Sequence, residues 1–149
     1  MPRRDLAAMI APLGRALTTA ETPTLAAHGL TMWGYMVLLR LQSMSIRTQA
    51  ALATEIGADK TRIIAVLDQL QHDGLITREP DPADRRVNLL TLTAEGRRRC
   101  DSAQAAIQAN EERILAGLRL PSTDVEGFLR VLQALSAQDP DEFTPPAAA

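Results

Sequence analysis

Apolar residues recur at helical spacing along most of the chain. Between Asp5 and Thr19 they fall at the i, i+3, i+4 and i+7 positions of one helical face. These residues are Leu6, Met9, Ile10, Leu13 and Leu17. The run Glu21-Thr22-Pro23 is expected to break this helix, because proline lacks the backbone N–H that a helix uses. A second helix is predicted from an N-cap at Thr31 to about Gln42.

Two further helices follow and are separated by a glycine. Thr48 is expected to cap a short helix over 49–56, which Gly57 ends because glycine tolerates a positive φ. Asp59 is expected to cap a helix from Lys60 to about residue 73, which Gly74 ends in the same way. Two helices joined by a short glycine-containing turn form a helix-turn-helix unit.

The pattern changes to strand spacing in one stretch. Residues Leu75–Glu79 and Val87–Thr93 carry roughly alternating apolar side chains and are predicted to form two strands. Residues 80–86 between them hold two prolines, which favour an irregular loop. The pattern therefore predicts a β-hairpin with Arg85 and Arg86 at its tip.

Helical spacing returns in the C-terminal part. Thr93 is expected to cap a long helix that runs toward Leu118 and stops before Pro121. The run Thr123-Asp124-Val125-Glu126 matches a capping box and predicts the start of a last helix, which ends near residue 137. Three prolines predict a loose tail over 138–149. The expected fold class is mainly α with a small β-hairpin wing.

Charge and hydropathy narrow the classes of function. The 149 residues include 16 Lys and Arg against 18 Asp and Glu, a net charge of −2. Ten of these bases and eight of the acids lie between Arg40 and Arg99, whereas three bases and eight acids follow from Cys100 onward. A basic middle segment is typical of a local phosphate-binding surface. Neither a membrane-spanning apolar run nor a signal peptide is visible, so a cytoplasmic protein with no membrane partner is expected.

Few residues are suited to catalysis or metal binding. The only cysteine, Cys100, and the two histidines, His28 and His72, do not show the spacing of a metal site. We therefore expect no metal and no cofactor. The sequence also has no P-loop and no nucleophile elbow, so an enzyme is not expected.

The segment from Asp59 to Arg98 carries a family resemblance. Its sequence, DKTRIIAVLDQLQHDGLITREPDPADRRVNLLTLTAEGRR, resembles the winged helix of the MarR (multiple antibiotic resistance regulator) family. The wing residues 84–86 match the D-x-R signature of that family, and residues 92–96 match the L-T-x-x-G start of its next helix. The upstream run LTMWGYMVLLRL also fits, so the resemblance extends from about residue 5 to residue 137.

The resemblance implies a sequence-specific transcriptional regulator, commonly a repressor. It implies one MarR-type domain over 1–149, in which residues 31–93 form the winged helix-turn-helix and residues 5–20 and 94–137 form dimerisation helices. The sequence departs from the family at two positions. Ile64 replaces a frequent Thr or Ser, and Ala65 lies where many members have a polar or basic contact residue.

The predicted recognition helix and wing carry side chains suited to double-stranded DNA. The N-terminal end of a recognition helix meets base edges in the major groove, where an arginine can pair bidentately with guanine. Arginines on a wing suit the negative potential of the narrow minor groove. The predicted DNA-binding residues are Thr48, Gln49, Lys60, Thr61, Arg62, Arg78, Asp84, Arg85 and Arg86.

Several of these residues have individual expected roles. Thr48 and Gln49 begin a helix whose N-terminus attracts phosphate, and Arg78 is a further candidate for a phosphate contact. The resemblance implies that Arg86 is the minor-groove arginine. It also implies that Asp84 braces the wing by pairing with Arg86.

The helices outside the winged region carry apolar residues that the small DNA-binding region does not need. The resemblance implies that they interlock with a second chain, and a monomeric core is the alternative. The predicted interface residues are Leu6, Met9, Ile10, Leu13, Ile114, Leu118, Phe128, Leu129, Leu132 and Leu135. A two-fold dimer sets its recognition helices about 34 Å apart, so an inverted-repeat operator is expected.

The resemblance further implies release from DNA by a small aromatic or phenolic compound. Such a ligand would enter a crevice between the dimerisation helices and the winged region, with apolar walls and a few polar groups. The candidate ligand-binding residues are Arg15, His28, Trp33, Tyr35 and Met36. Packing in the core is the alternative for Tyr35 and Met36, and exposure to solvent is the alternative for His28.

Two other mechanisms stay open. Cys100 follows Arg97, Arg98 and Arg99, whose charges can lower a thiol pKa and so permit peroxide sensing. Its alternative is a small residue packed in a helix. The winged helix can instead bind another protein, although a basic recognition helix and an arginine wing disfavour that function.

Overall fold

Helices account for most of the computed structural model, which describes residues 2–44 and 47–146. The helices are α1 (Leu6–Ala27), α2 (Met32–Ser43), α3 (Gln49–Ile56), α4 (Lys60–His72), α5 (Ala94–Gly117) and α6 (Ser122–Ser136), followed by a 3-10 helix (Pro140–Phe143). The strands are β1 (Arg47–Thr48), β2 (Ile76–Pro80) and β3 (Asn88–Leu92). The predicted fold class, mainly α with a β-hairpin wing, is confirmed. Residues 45 and 46, between the second and third predicted helices, and residues 147–149 of the predicted tail lie outside the described residues.

The chain divides into two units within α5. The first unit extends to Gln108, and the second begins at Ala109 and includes α6 and the 3-10 helix. The buried apolar core lies in the first unit, to which α1–α5 and the strands contribute. Its fully buried leucines are Leu25, Leu38, Leu41, Leu52, Leu67, Leu75 and Leu90. The single-domain organisation over 1–149 stays a prediction.

The helix α1 does not end where the sequence predicted. It continues through Pro23 to Ala27, so the expected break at residues 21–23 is wrong. Pro23 costs the helix a hydrogen bond. Two residues later Leu25 packs into the core with 1% of its surface exposed. Burying a leucine offsets much of the cost of the proline, so tertiary packing overrides the local signal.

The predicted helix caps of the helix-turn-helix are confirmed. Thr31, Thr48 and Asp59 each accept a backbone N–H of the following helix with the side-chain oxygen, at 3.1, 3.2 and 2.8 Å. Gly57 and Gly74 have φ of +68° and +73°, the left-handed conformation expected after α3 and near the end of α4. These local signals place α3 and α4 within about a residue of their predicted bounds.

The wing belongs to a three-stranded sheet rather than to an isolated hairpin. The strand order is β1-β3-β2 and both pairings are antiparallel. The register of β2 and β3 pairs Ile76 with Leu92 and Pro80 with Asn88. Pro80, expected in the loop, is therefore the last residue of β2, where an edge strand tolerates its missing donor. The sequence did not predict β1, which is two residues long.

Thr93 fixes the start of α5 against the beginning of the wing. Its Oγ1 accepts the Gly96 N–H at 2.9 Å, as expected of a cap, and donates to the Gly74 carbonyl at 2.7 Å. Its backbone N–H donates to the Leu75 carbonyl at 3.1 Å. The L-T-x-x-G run thus joins the end of β3, the start of α5 and the residues that lead into β2.

The start of α6 differs from the predicted capping box. The helix begins at Ser122 with Pro121 as its N-cap and without a side-chain cap hydrogen bond. Pro121 has φ −56° and ψ 144°, an extended conformation suited to the residue before a helix. Thr123 therefore lies inside the first turn. None of the described helices has the length and apolar character needed to cross a membrane.

Candidate nucleic-acid interface

The first turn of α4 presents Lys60, Thr61 and Arg62 at the surface. Asp59 Oδ1 accepts the Arg62 backbone N–H at 2.8 Å and so closes this turn. The opposite side of α4 is buried in the core, where Leu67 has no exposed surface. Because the helix is held by that packing, the three exposed side chains project from a fixed support.

The tip of the wing is organised around the pair Asp84 and Arg86. Arg86 Nε donates to Asp84 Oδ1 at 3.1 Å, and Nη2 donates to Oδ2 at 3.3 Å. The Arg86 backbone N–H also donates to Asp84 Oδ1 at 3.1 Å. The side-chain hydrogen bond, followed by the backbone one, holds the pKa of Asp84 below its usual value. The predicted pairing of Asp84 with Arg86 is therefore confirmed, while the role of the pair in DNA binding stays a prediction.

Hydrogen bonds within the loop shape the rest of the wing. Asp81 Oδ1 accepts the Ala83 N–H at 2.9 Å, and the Asp81 N–H donates to the Val87 carbonyl at 2.8 Å. The Val87 N–H in turn donates to the Asp84 carbonyl at 2.9 Å. The loop thus closes on itself while the Arg86 side chain remains 91% exposed.

Four of the predicted DNA-binding residues meet at one concave surface. Thr48 and Gln49 at the start of α3, Lys60 at the start of α4 and Arg86 on the wing all line a concavity of about 530 Å³. Asn88, at the start of β3, lines the same surface and was not predicted. A polar side-chain amide at the start of a strand rich in leucine was the available signal. The fold thus brings two helix N-termini and the wing to a single site.

Arg62 lies at a different cavity from this group. Its Cζ is 5.3 Å from the centroid of the Trp33 ring, within the range of a cation–π contact. Both side chains line a cavity of about 260 Å³, together with Ala65 and Gln69 of α4. This contact was not predicted, because no local pattern relates the first turn of α2 to that of α4.

Arg78 is engaged by other side chains of the protein. Its Nε donates to Gln71 Oε1 at 2.7 Å, and its Nη2 forms an ion pair with Asp68. The Arg78 side chain is 21% exposed, against 91% for Arg86. The Asp68 carboxylate offsets the charge of Arg78, which therefore differs from the exposed arginines of the wing. Arg85, also on the wing, is exposed.

The structure does not gather the five predicted ligand-binding residues at one cavity. Trp33 lines the cavity beside Arg62, whereas His28 lines a separate surface with Arg98 and Arg99. The ring of His28 is hydrogen-bonded to the Thr24 carbonyl and to Ser102 Oγ, at 2.8 and 3.2 Å.

The other three candidates occupy three different environments. Tyr35 belongs to the buried core, and Met36 packs partly buried against that core. Arg15 is exposed on α1. Both side chains therefore pack in or against the core, which is the alternative that was considered for Tyr35 and Met36.

Cys100 is a core residue rather than a reactive thiol. It has no exposed surface, and burial raises its pKa to about 11, with a further rise from Asp101 and only a smaller decrease from Arg97. Arg98 and Arg99 both pair with Glu95, which offsets their charges. Arg97 does lower the thiol pKa, but burial outweighs it, so the alternative of a small residue packed in a helix describes Cys100. Among the described residues, no group of potential metal ligands comes together.

The predicted interface residues form exposed apolar faces in each unit. On α1 of the first unit, the four leucine, methionine and isoleucine side chains at positions 6, 9, 10 and 13 are 40–49% exposed. In the second unit, the exposed fractions of Ile114, Leu118, Phe128, Leu129 and Leu132 range from 38 to 58%. Leu135 is partly buried. Val131 and Leu120, which were not predicted, are also more than half exposed.

Comparisons with known proteins agree on one family. The family model described as MarR family matches residues 30–87. A putative transcriptional regulatory protein for the hcr operon of Thauera aromatica is 28% identical over 137 residues, covering 92% of this chain and 77% of that protein. A solved transcriptional regulator (MarR family) from Rhodococcus sp. RHA1 is 29% identical with a TM-score of 0.74, covering 91% of this chain and 97% of that one.

Two further solved structures bear the name CouR, one with a small-molecule ligand and one with DNA. CouR from Rhodococcus jostii RHA1, bound to p-coumaroyl-CoA, is 30% identical with a TM-score of 0.70, and the match covers 91% of this chain and 94% of that one. The transcriptional repressor CouR bound to a 23-mer DNA duplex is 27% identical with a TM-score of 0.73, covering 89% and 92%.

Proposed function

Since the chain belongs to the MarR family of DNA-binding transcriptional regulators, we propose that it represses transcription by binding an inverted-repeat operator as a homodimer. The concavity at which Thr48, Gln49, Lys60 and Arg86 meet carries this proposal. Elements that are separate in the sequence converge there. A surface that only kept the protein solvated would not require that convergence.

Each part of this surface suits one part of a DNA duplex. The exposed turn with Lys60, Thr61 and Arg62 is a suitable length of helix to enter the major groove N-terminus first. The α3 N-terminus, with Thr48 and Gln49, offers backbone N–H groups and a positive helix dipole to a phosphate. The solved complex of the relative CouR with a DNA duplex supports the same use of the fold.

The wing supplies the contact to the minor groove. The hydrogen bonds from Arg86 to Asp84 restrict the rotation of the guanidinium, yet the Arg86 side chain stays 91% exposed. Arg85 adds a second positive charge beside it. A narrow minor groove concentrates negative potential, so two arginines on a short rigid loop are favoured there. Arg78 contacts phosphate only if its ion pair with Asp68 opens, which makes it the weakest of the predicted contacts.

The experiment begins with selection of bound DNA from a random duplex pool by the wild-type protein. The affinity for the selected sequence is then measured by fluorescence anisotropy at several salt concentrations. Arg86→Ala is expected to weaken binding and to make the slope of log K against log salt less steep by about one, because the variant brings one cation fewer to the DNA and so displaces about one counterion fewer. The matched control is Arg130→Ala, an exposed arginine of α6 outside the predicted surface, which should keep the wild-type slope.

The outcomes of this experiment separate DNA binding from the alternative function. An Arg86→Ala variant with unchanged affinity and slope removes the wing from the mechanism. A wild-type protein that selects no sequence from the pool contradicts the proposal and favours the protein-binding function of a winged helix. If the operator is an inverted repeat, insertion of about half a helical turn between its halves should abolish tight binding.

The exposed apolar faces support the homodimer. On α1 the residues Leu6, Ile10 and Leu13 lie on one face and remain 45–49% exposed in the single chain. On α6 the exposed residues Phe128 and Leu132 lie one turn apart. Each of these exposed apolar faces is typical of an interaction site, and a second copy of the chain would remove them from water.

Analytical ultracentrifugation at micromolar concentration tests the dimer. The wild-type protein is expected to sediment as a dimer, and Leu132→Asp to shift it toward the monomer because a charge is placed in an apolar interface. Gln133→Asp, at the next position of the same exposed helix, is the control and should remain dimeric. A wild-type monomer at this concentration overturns the homodimer.

We also propose that a small aromatic ligand releases the protein from its operator. Its support is the relative CouR bound to p-coumaroyl-CoA, and of the five predicted residues only Trp33 lines an apolar cavity among those described. Titration of the protein–DNA complex with p-coumaroyl-CoA, p-coumarate and CoA alone tests it. Release by a compound that carries the aromatic ring, but not by CoA, supports the aromatic signal, whereas no release by any of the three argues against it.

A further inference from the structure

The contact between Trp33 and Arg62 joins two helix N-termini that are both fixed by caps. Trp33 is the second residue of α2, whose first turn is closed by the bond from the Gly34 N–H to Thr31 Oγ1 at 3.1 Å. Arg62 is the third residue of α4, and its own backbone N–H donates to Asp59 at 2.8 Å. The guanidinium carbon lies 5.3 Å from the centroid of the indole ring. Because both backbones are fixed, the indole ring stays within reach of this arginine.

We propose that Trp33 is a positioning residue that holds Arg62 ready to read a base in the major groove. This inference rests on the proposed DNA-binding function. An arginine that stacks on an aromatic ring uses the face of its guanidinium, and the N–H donors at its edge remain available. Those edge donors are the ones that pair bidentately with O6 and N7 of guanine. Stacking therefore orders the side chain without occupying the atoms that recognise the base.

The residue at position 65 makes room for this arrangement. Ala65 lies one turn after Arg62 on α4, and both line the cavity of about 260 Å³ that Trp33 also lines. A long polar or basic side chain at position 65 would project into the same space. The small side chain of Ala65 therefore leaves the space in which Arg62 lies against Trp33.

The single tryptophan of the chain reports on this contact directly. Trp33 is the only tryptophan among the 149 residues, so all tryptophan emission comes from the ring beside Arg62. Arg62→Ala removes the cation and is expected to change the intensity of that emission in the free protein. This measurement needs no DNA and tests the contact itself.

The test of the positioning role combines variants at both positions with DNA selected by the wild-type protein. Trp33→Leu removes the aromatic face but keeps an apolar side chain, and Trp33→Phe retains an aromatic ring. Trp33→Leu is expected to weaken operator binding about two- to fivefold, the range of an exposed cation–π contact. Trp33→Phe should recover much of that loss. Added to Arg62→Ala, Trp33→Leu should cause little further weakening, because its effect passes through the arginine.

Base preference separates positioning from a merely structural role. Affinities are measured for the selected operator and for variants with one base pair changed. Trp33→Leu and Arg62→Ala should both reduce discrimination at the same base pair, while discrimination at the other positions is kept. A Trp33→Leu variant that weakens all sequences equally, or whose effect adds fully to that of Arg62→Ala, overturns the positioning role.

Thermal unfolding of each variant shows whether the fold survives, and Trp33→Phe carries the test if Trp33→Leu does not fold. Unchanged emission in Arg62→Ala overturns the contact. A wild-type protein that selects no DNA overturns the proposed function and with it the positioning role, while a changed emission would still establish the contact. The two failures are therefore distinguishable.

Discussion

Gly96 lies where α5 passes closest to the backbone that leads into the wing. It is buried, and a Cβ built on it would lie 2.0 Å from the Leu75 carbonyl oxygen and 2.9 Å from Leu92 Cδ1. A carbon and an oxygen that are not bonded need more than 3 Å, and a backbone carbonyl cannot rotate away as a flexible side chain can. We therefore predict that Gly96→Ala forces the start of α5 away from Leu75 and destabilises the protein.

The magnitude follows from the contacts that such a shift disturbs. Thr93 makes two hydrogen bonds across this junction, to the Gly74 carbonyl at 2.7 Å and to the Leu75 carbonyl at 3.1 Å. Weakening them costs about 1 kcal/mol each, and overpacking adds about 1–3 kcal/mol. The higher helix propensity of alanine returns about 1 kcal/mol. The expected loss in the free energy of unfolding is about 2–4 kcal/mol.

Urea unfolding followed by circular dichroism measures this loss. All proteins must be compared at one protomer concentration, because dimerisation makes the apparent stability depend on it. The control is Gly117→Ala in the same helix, where a Cβ meets nothing within 4 Å, and its stability should stay within about 1 kcal/mol of the wild type. If Gly96→Ala were as stable as this control, α5 could not approach Leu75 as closely as described.

Three further predictions concern single side chains. Cys100 should react with a thiol reagent only when the protein unfolds, because it is buried and its pKa is raised to about 11; rapid labelling of the folded protein at pH 8 would contradict this. The pKa of Asp84 is lowered from 3.8, so the stabilising effect of its charge is complete near neutral pH and is lost as the pH falls through the lowered pKa. An NMR titration should find this pKa rising in Arg86→Ala, and a pKa that did not move would refute the assigned cause. Leu25→Ala should lower the free energy of unfolding by about 2–5 kcal/mol, and a loss below about 1 kcal/mol would mean that the core does not hold the end of α1.

Helix caps and the ion pair of the wing, which depend on residues close together in the chain, were predicted from the sequence. The family predicted from residues 59–98 is also confirmed. The caps at Thr31, Thr48 and Asp59 were predicted because a cap depends on residues within one turn. The pair Asp84–Arg86 was predicted for the same reason, since its members are two residues apart.

Features that depend on packing between distant segments were missed. The continuation of α1 through Pro23 is decided by the burial of Leu25, which no pattern near the proline reveals. The strand β1 exists only because its two residues pair with Leu89 and Leu90 of β3. The burial that raises the pKa of Cys100 likewise comes from the surrounding core, whereas the arginines beside it are visible in the sequence.

The two arginines expected to read DNA illustrate this difference. Arg86 is held by a carboxylate two residues before it, so its orientation is encoded within the wing and accompanies the D-x-R signature. Arg62 is held by a ring 29 positions earlier in the chain, on another helix. A contact of that kind depends on the whole fold and on the small side chain at Ala65, neither of which the D-x-R signature encodes. The sequence of the wing therefore predicts how Arg86 is held, whereas the position of Arg62 against Trp33 is found only in the structure.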